Sequence, residues 1–211
     1  MTVRNAASMG VFGASWAASG YCGSGNVASL IGTLSGRVAI VAGGAHTVFD
    51  DIEVALEKHS DAVVFAVNDV GMFLPKLDHW VSLHHDKLAV WKQVRWLTTR
   101  HREDTKYHSV DANPAIDYVW EGLTPLFTLS GYFAMQIAHV MGASRIVLCG
   151  CPGAPERRFF EAAKRSDFGY GGGDDSHGVR EQIEKEMARL PDFKHKVRST
   201  SGWTKTFFGA L

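Results

Sequence analysis

Cysteine is scarce in this chain, and its scarcity argues against a class of secreted proteins. Three cysteines, Cys22, Cys149 and Cys151, occur among 211 residues. So few cysteines, in an odd number, do not suit the disulfide framework of a small extracellular domain, so we expect a reducing, cytoplasmic location. Cys149 and Cys151 resemble half of a metal site, but no second pair follows. Buried cysteines in a strand are the simpler interpretation.

Net charge and long apolar runs are also missing. The 22 basic residues equal the 22 acidic residues, so the formal net charge is zero and no basic surface for nucleic acid is indicated. No apolar run approaches the roughly 20 residues of a membrane helix. We therefore expect neither a nucleic-acid partner nor a membrane span. The length suits one α/β domain.

Residues 1–36 differ in composition from the rest of the chain. They are rich in glycine, alanine and serine, and Arg4 is their only charged residue. We interpret them as an N-terminal arm, either loosely structured or packed on a partner subunit of a homo-oligomer. Residues 23–28 have the spacing of a dinucleotide fingerprint, but no strand precedes them, so the motif lacks its context. The folded domain is predicted to span residues 37–211.

The stretch from residue 130 to residue 152 has the clearest pattern in the chain. It predicts a helix, a tight turn at Gly142, a strand over residues 145–149 and a loop at the carboxyl end of that strand. Ser130 is the expected N-cap of the helix. One side of the helix is apolar, and Tyr132, Gln136 and His139 are expected on the opposite side. The strand is apolar without alternation, as in a strand covered on both faces.

Three further strands are predicted near residues 38–42, 62–67 and 80–84, and a short one near 94–98. Together with the central stretch they indicate an α/β fold, a Rossmann-like three-layer domain with a mainly parallel sheet. Ligands of such sheets bind at the carboxyl ends of the strands. The candidate nucleotide contacts at these ends are Gly43, Gly44, Ala45, His46, Asn68, Asp69, Ser82, His84, Ser130, Gly131, Cys151 and Pro152.

The turn at residues 43–47 has two interpretations. A strand, a turn of small residues and a helix N-terminus form an anion site, because backbone N–H groups point outwards and the helix dipole favours phosphate. A tight turn between a strand and a helix also requires small residues without binding anything. The composition of the turn does not separate the two.

A long connection follows the central strand and is rich in glycine. We predict a flexible lid over about residues 153–178, because loops of this length in compact domains are often lids. Tyr170 and His177 flank its glycines and are candidates for binding and catalysis. An ordinary mobile surface loop is the alternative.

The order of these segments resembles the bacterial sialyltransferase superfamily, and more closely its uncharacterised phage and bacterial relatives. The resemblance rests on residues 38–44 (VAIVAGG), 66–69 (AVND), 77–84 (LDHWVSLH) and 130–150, together with His177 and residues 200–202 (TSG). The archaeal hydroxymethylpterin pyrophosphokinases share a similar central helix and strand and are a more distant resemblance.

The resemblance implies a nucleotide-sugar transferase of the CMP-sugar type that needs neither a metal nor another cofactor. In this chain His177 would be the general base, and Tyr170 would contact the leaving phosphate, with Arg157 or Arg158 nearby. The characterised enzymes carry Gly-Asn-Gly-Pro-Ser at the first turn, where Gly44 replaces the asparagine here. Cys151 stands where an aspartate is usual. The sugar, the base and the acceptor are left open.

Two other functions remain open from the sequence. One is a pyrophosphokinase-like transferase whose Mg²⁺ would be held by carboxylates. The other is a non-catalytic nucleotide-binding protein, such as a phage accessory protein. Metal dependence would separate the two enzymes, and binding without turnover would indicate the third function. The candidate magnesium ligands are Asp69, Asp86, Asp174 and Asp175.

Overall fold

The computed structural model describes residues 25–99, 104–123, 129–153, 156, 158–160 and 176–211, apart from the side chains of residues 99, 176 and 177. These residues form a seven-stranded sheet in which all neighbouring strands are parallel. The order across the sheet is β5-β4-β3-β2-β1-β6-β7. The strands are β1 (Val38–Ala42), β2 (Val63–Val67), β3 (His79–Val81), β4 (Lys106–Ser109), β5 (Tyr118–Val119), β6 (Arg145–Cys149) and β7 (Val197–Ser199).

Helices cover both faces of the sheet. Helices α1 and α2 pack on one face, and α3, α4, α5 and α6 pack on the other. The predicted Rossmann-like three-layer α/β fold is therefore confirmed. The helices are α1 (Val48–Lys58), α2 (His85–Thr99), α3 (Ser130–Val140), α4 (Ser176–Arg189), α5 (Pro191–Lys196) and α6 (Gly202–Phe208), with 3-10 helices at Val27–Leu30 and Asn68–Met72.

In the sequence the strands are continuous apolar runs, and the central strand β1 shows why. Val41 points into the core beneath α3, whereas Ile40 and Ala42 point into the core beneath α1. All three side chains are fully buried. Because each face of the sheet is covered by helices, every position in the strand must be apolar, and no alternation remains.

The strand order places a topological switch point at the centre of the sheet. From β1 the chain moves outwards through β2, β3, β4 and β5, and α3 then leads back to β6 on the other side of β1. Connections therefore leave β1 and β6 in opposite directions. In open α/β sheets a crevice forms at the carboxyl ends of two such strands.

Helix α3 differs from its prediction in two ways. Its N-cap is Leu129, and Ser130 is the first helical residue. Tyr132 and Gln136, expected on the outer side, are only 4% and 6% exposed. The reason is that α4 and α5 cover this side of α3, as the ring of Phe193 on α5 shows by lying 6.5 Å from that of Tyr132. Gly142 has φ 92°, as predicted for a left-handed C-terminal turn.

The predicted short strand near residues 94–98 is wrong, because these residues belong to α2. The residues of α2 that face the domain, Leu88, Trp91 and Arg95, recur at helical spacing, but the arginine among them conceals the apolar stripe in the sequence. Arg95 holds the helix in place, since its Nη1 donates to the carbonyls of Gly71 and Leu74, each at 2.8 Å. In the described part of the chain, no helix is long and apolar enough to cross a membrane.

The beginning of the described chain packs on the domain. Leu30 and Leu34 are 5% and 3% exposed and belong to the core beneath α3. Ser35 forms an antiparallel bridge with Ala143, just after α3. Residues 1–24 of the predicted arm lie outside the described residues, so the division at residue 36 stays a prediction.

Candidate functional site

The loops after β1 and β6 are joined by backbone hydrogen bonds. The N–H of Gly43 donates to the carbonyl of Cys149 at 2.8 Å, and the N–H of Ala45 donates to that of Gly150 at 3.1 Å. A Cβ at Gly43 would lie 2.5 Å from the carbonyl oxygen of Gly150 and would overlap the Sγ of Cys151. Glycine is therefore required at residue 43 by the close approach of the two loops.

A cavity of about 470 Å³ opens at these strand ends, on the side of the sheet that α3 covers. Its walls come from the loops after β1, β2, β3 and β6, the first turns of α3, and the facing sides of α4 and α6. The predicted contacts that line it are Gly43, Gly44, Ala45, Asn68, His84, Ser130, Gly131, Cys151 and Pro152. The residues that the sequence pattern grouped at the strand ends therefore share one cavity at the switch point, and their binding of a ligand stays a prediction.

Three predicted contacts lie outside the lining of this cavity. Ser82 is fully buried, Asp69 is 9% exposed, and both bind protein groups. His46 lies at the rim, where its Nδ1 is 3.4 Å from a carboxylate oxygen of Glu156, which does line the cavity. In this structure Ser82 and Asp69 hold the lining residues Asn68 and Arg158, and direct contact of Ser82 or Asp69 with a ligand stays a prediction.

The predicted lid and Tyr170 fall largely outside the described residues, as does the side chain of His177. The backbone at His177 belongs to the first turn of α4. Val179 and Ile183, one and two turns into that helix, line the cavity. The first turn of α4 is thus contiguous with the cavity wall.

Asn68 is held at the end of β2 in a backbone conformation that is rare for a residue other than glycine. Its φ is 58°, in the left-handed region that asparagine tolerates better than most residues. Its carbonyl accepts from the indole N–H of Trp80 at 2.6 Å, and its Oδ1 accepts from the hydroxyl of Ser82 at 2.9 Å. Ser82 in turn accepts from the N–H of His84 at 2.9 Å. These bonds fix two lining residues, Asn68 and His84, relative to each other.

Arg158 brings a positive charge to the cavity. It forms an antiparallel bridge with Ala45, and its guanidinium makes an ion pair with Asp69. The two side chains are only 13% and 12% exposed. A Cβ at Gly44 would lie 2.6 Å from Nη2 of Arg158, so the second glycine of the turn makes room for the guanidinium. The other arginine considered for phosphate binding, Arg157, is outside the described residues.

The N-terminus of α3 faces the same cavity. Ser130 and Gly131 line it, and the N-cap Leu129 has no side chain that can accept from the first turn. The hydroxyl oxygen of Ser130 instead accepts from the N–H of Leu83 at 3.4 Å. Uncapped N–H groups and the helix dipole make such a terminus favourable for an anion.

Asp51 organises the loops around the cavity, and the sequence pattern did not single it out. Its Oδ2 accepts three hydrogen bonds, from the hydroxyl of Thr47 at 3.0 Å, the N–H of Gly150 at 2.8 Å and the hydroxyl of Ser201 at 3.1 Å. Thr47 is the N-cap of α1, as predicted, but its hydroxyl binds Asp51 rather than the backbone. One carboxylate thus ties together α1, the loop after β6 and the start of α6.

The two cysteines near the cavity are thiols at neutral pH. Burial, and to a smaller extent the Asp51 carboxylate, raises the pKa of Cys151 to about 12. Burial raises the pKa of Cys149 above its ordinary range as well, and Cys151 and Asp51 add to the effect. Since the thiolate is the nucleophile and the metal ligand, neither role suits these residues.

Candidate metal ligands are dispersed in the described part of the chain. No group of three or more histidine, cysteine, aspartate or glutamate residues lies close enough there to hold a metal ion. Of the carboxylates considered for magnesium, Asp69 is already paired with Arg158. Asp86 lies in the first turn of α2, while Asp174 and Asp175 are outside the described residues.

No protein-family model matches this chain, and no curated protein matches its sequence. Its fold is similar to two structures of the sialyltransferase CstII from Campylobacter jejuni. One, in complex with cytidine-5'-monophosphate, gives a TM-score of 0.53 at 14% identity and covers 83% of this chain and 85% of that chain. The other, in complex with CMP-3FNeuAc, gives 0.51 at 15% identity and covers 82% and 86%. At this identity the likeness shows a sialyltransferase-like fold.

Proposed function

We propose that the cavity at the switch point binds a nucleotide sugar of the CMP-sugar type and that the protein transfers the sugar to an acceptor. The observation that carries this proposal is the convergence of three groups suited to a phosphate. They are the Gly43-Gly44 turn, the uncapped N-terminus of α3, and the Arg158 guanidinium. Such groups, fixed before the ligand arrives, stabilise negative charge in a site that excludes water.

The fold comparison supports the choice of nucleotide. The two similar structures are of a sialyltransferase that holds CMP in one case and CMP-3FNeuAc in the other. The low identity leaves the sugar and the acceptor of the present protein open. Gly44 and Cys151, which replace an asparagine and an aspartate of the family pattern, border the cavity and are the positions at which the donor would differ.

His177 is the proposed general base. Histidine has an unperturbed pKa of about 6.5, so its neutral form can take the proton of an acceptor hydroxyl near pH 7. Its backbone lies in the first turn of α4, the helix that walls the cavity through Val179 and Ile183. As the sugar leaves its nucleotide, the charge that develops on the phosphate would be met by Arg158, by the α3 terminus and by Tyr170.

A thermal-shift screen against CMP, UDP, GDP and ATP, each with and without Mg²⁺, tests nucleotide binding. A ligand at a hundredfold excess over its Kd adds about 2.7 kcal/mol to stability, which raises Tm by roughly 5–10 °C in a chain of this size. We expect the largest shift with CMP, independent of Mg²⁺. A shift seen only with Mg²⁺ would favour the pyrophosphokinase-like alternative, and no shift with any nucleotide would refute the proposal.

Replacement of His177 tests catalysis. The variant His177→Ala should bind CMP normally but release CMP from CMP-N-acetylneuraminic acid roughly 10²–10⁴-fold more slowly than the wild type, the usual contribution of a general base. The matched control is His195→Ala, because His195 is exposed on α5 away from the cavity. Equal rates in wild type and His177→Ala would remove His177 from the mechanism. CMP binding without CMP release by the wild type from any CMP-sugar supplied would indicate a non-catalytic nucleotide-binding protein.

A further inference from the structure

The cavity has a polar end and an apolar end. The polar end is the strand-end region described above, with Asn68, His84 and Arg158. The apolar end, which we term the inner chamber, lies between α3, β6, α4 and α6. The inner chamber is lined by Tyr132, Met135, Leu148, Ile183 and Phe208. A ligand that fills the whole cavity would therefore combine a polar part with a part that has apolar surfaces.

Tyr132 is the exception in this apolar environment. It is 4% exposed, and its hydroxyl makes no hydrogen bond to any of the described residues. Burial, together with the negative charge of Glu186, raises the pKa of Tyr132 above its ordinary value, so the hydroxyl keeps its proton. Because Tyr132 lines the cavity, its hydroxyl can donate to a ligand there without giving up a hydrogen bond to the described part of the protein.

The other hydroxyl at this end of the cavity is already engaged. Thr204 Oγ1 lies 2.8 Å from the hydroxyl of Ser199 and 2.7 Å from the carbonyl oxygen of Cys151. Both groups belong to the protein, so Thr204 has no proton left for a ligand. Within the described lining, Tyr132 is thus the hydroxyl donor that the inner chamber offers.

We propose that the inner chamber holds the base of the nucleotide, and that Tyr132 donates a hydrogen bond to a ring carbonyl or ring nitrogen of that base. A nucleobase has two flat apolar faces, which suit the side chains of Met135 and Ile183, and polar atoms only at its edge. Its phosphate then extends towards the α3 terminus and Arg158. This inference rests on the proposed nucleotide binding and adds the group that recognises the base.

Calorimetric titration of two ligands tests the inference. CMP carries the base, whereas ribose 5-phosphate keeps the sugar and phosphate without it. In Tyr132→Phe the Kd for CMP should rise about tenfold, the effect of one lost hydrogen bond to a buried group, while the Kd for ribose 5-phosphate should not change. The matched control is Tyr118→Phe, the same substitution in β5 outside the cavity, which should leave both affinities unaltered.

A second variant tests the location independently of the hydroxyl. Ile183→Phe places a larger side chain in the inner chamber and should weaken CMP at least tenfold without weakening ribose 5-phosphate. Circular dichroism and Tm confirm that each variant is folded. Equal CMP affinity in wild type, Tyr132→Phe and Ile183→Phe would overturn the inference while leaving nucleotide binding intact. If the wild type binds neither ligand, the proposed function itself fails.

Discussion

At the scale of single residues, the ion pair Asp69–Arg158 lies at the polar end of the cavity, where Arg158 forms part of the lining. Asp69 follows β2, and Arg158 lies after β6, so the pair also joins two loops that are 89 residues apart in sequence. Both side chains are almost fully withdrawn from water. Removing one partner of such a pair leaves the other charge buried without compensation, which costs more than the intact pair contributes.

We predict that Asp69→Asn lowers the free energy of unfolding by about 3 kcal/mol. The double variant Asp69→Asn/Arg158→Met should recover most of the loss, because neither charge remains, but it should bind CMP more weakly than the wild type. Urea denaturation of the two variants and Arg158→Met gives the coupling energy. Additive losses would show that the two side chains act independently.

Gly43 offers a second prediction at this scale. The variant Gly43→Ala should lose roughly 1–3 kcal/mol of stability, because its methyl group would overlap Cys151 and the carbonyl of Gly150. Gly131→Ala is the matched control, since a Cβ there would lie 3.9 Å from Cys151 Sγ, an ordinary contact. Alanine also favours the helix at residue 131. Thermal unfolding of both variants measures the difference, and equal Tm values would contradict the packing argument.

At the scale of elements, β3 and β4 are joined by a pair of buried histidines. His79 Nδ1 lies 2.8 Å from His108 Nε2, and the indole N–H of Trp120 donates to His108 Nδ1 at 3.0 Å. Because an indole N–H can only donate, Nδ1 of His108 must be the acceptor of that bond. The ring proton of His108 is therefore on Nε2, which donates to Nδ1 of His79. Burial, and then the charges of Lys106 and Arg37, lowers the pKa of His79 to about 3. Burial, and then the charges of His79 and Lys106, hold the pKa of His108 well below its ordinary value of 6.5.

The histidine pair predicts loss of stability in acid. As the pH falls below 6.5, these histidines become protonated in the unfolded chain but stay neutral in the folded protein. The contribution of the pair to the free energy of unfolding is therefore complete above pH 6.5 and is lost as the pH drops towards 3. Each histidine contributes at most about 1.4 kcal/mol per pH unit. In His79→Phe one fewer proton is taken up on unfolding in acid, so the free energy of unfolding should depend less steeply on pH. The free energy of unfolding at pH 7 should also fall by about 1–3 kcal/mol, because His108 loses its acceptor.

Urea denaturation at pH 7, 6 and 5 measures this slope. His195→Ala, which removes an exposed histidine outside the pair, is the control and should leave the stability at pH 7 unchanged. If wild type and His79→Phe lose stability in parallel as the pH falls, the acid sensitivity lies elsewhere.

The elements also show what sequence patterns reveal and what they miss. Strands over residues 38–42 and 145–149 were predicted with the observed limits, because strands covered on both faces are unbroken apolar runs between small residues. The prediction for the outer side of α3 was wrong, because Tyr132 and Gln136 are covered by α4 and α5, which come dozens of residues later in the chain. A polar side chain in a helix does not show whether a later element will bury it.

The same limit, that a sequence pattern does not show which distant elements meet, explains which residues of the candidate site were predicted and which were missed. The residues at the ends of β1, β2 and β6 were located because parallel strands bring their carboxyl ends to one edge. The bonds of Asp51 to Gly150 and Ser201 and the support of Asn68 by Ser82 were not found, since these contacts join residues far apart in sequence or elements of unknown orientation. Whether the located residues bind a nucleotide stays a prediction.

At the scale of the whole molecule, β1 is the strand on which the sheet depends. It pairs with β2 on one side and β6 on the other, so the two halves of the sheet meet along it. The cavity opens where these halves join, which explains why one site gathers residues from nearly every loop at that end. Substitutions that weaken the pairing of β1 with β6 should therefore weaken ligand binding before they disturb the pairing of β2, β3 and β4.

The central place of β1 also has a consequence for synthesis on the ribosome. One edge of β1 can pair with β2 soon after both have emerged, but β6 follows only about 100 residues later. At 5–20 residues per second, the second edge of β1 waits roughly 5–20 s for its partner. Throughout that interval the nascent chain presents an apolar strand with unpaired N–H and C=O groups. Translation speed between residues 42 and 145 should therefore influence the yield of folded protein, with slower translation giving more aggregate unless a chaperone covers that edge.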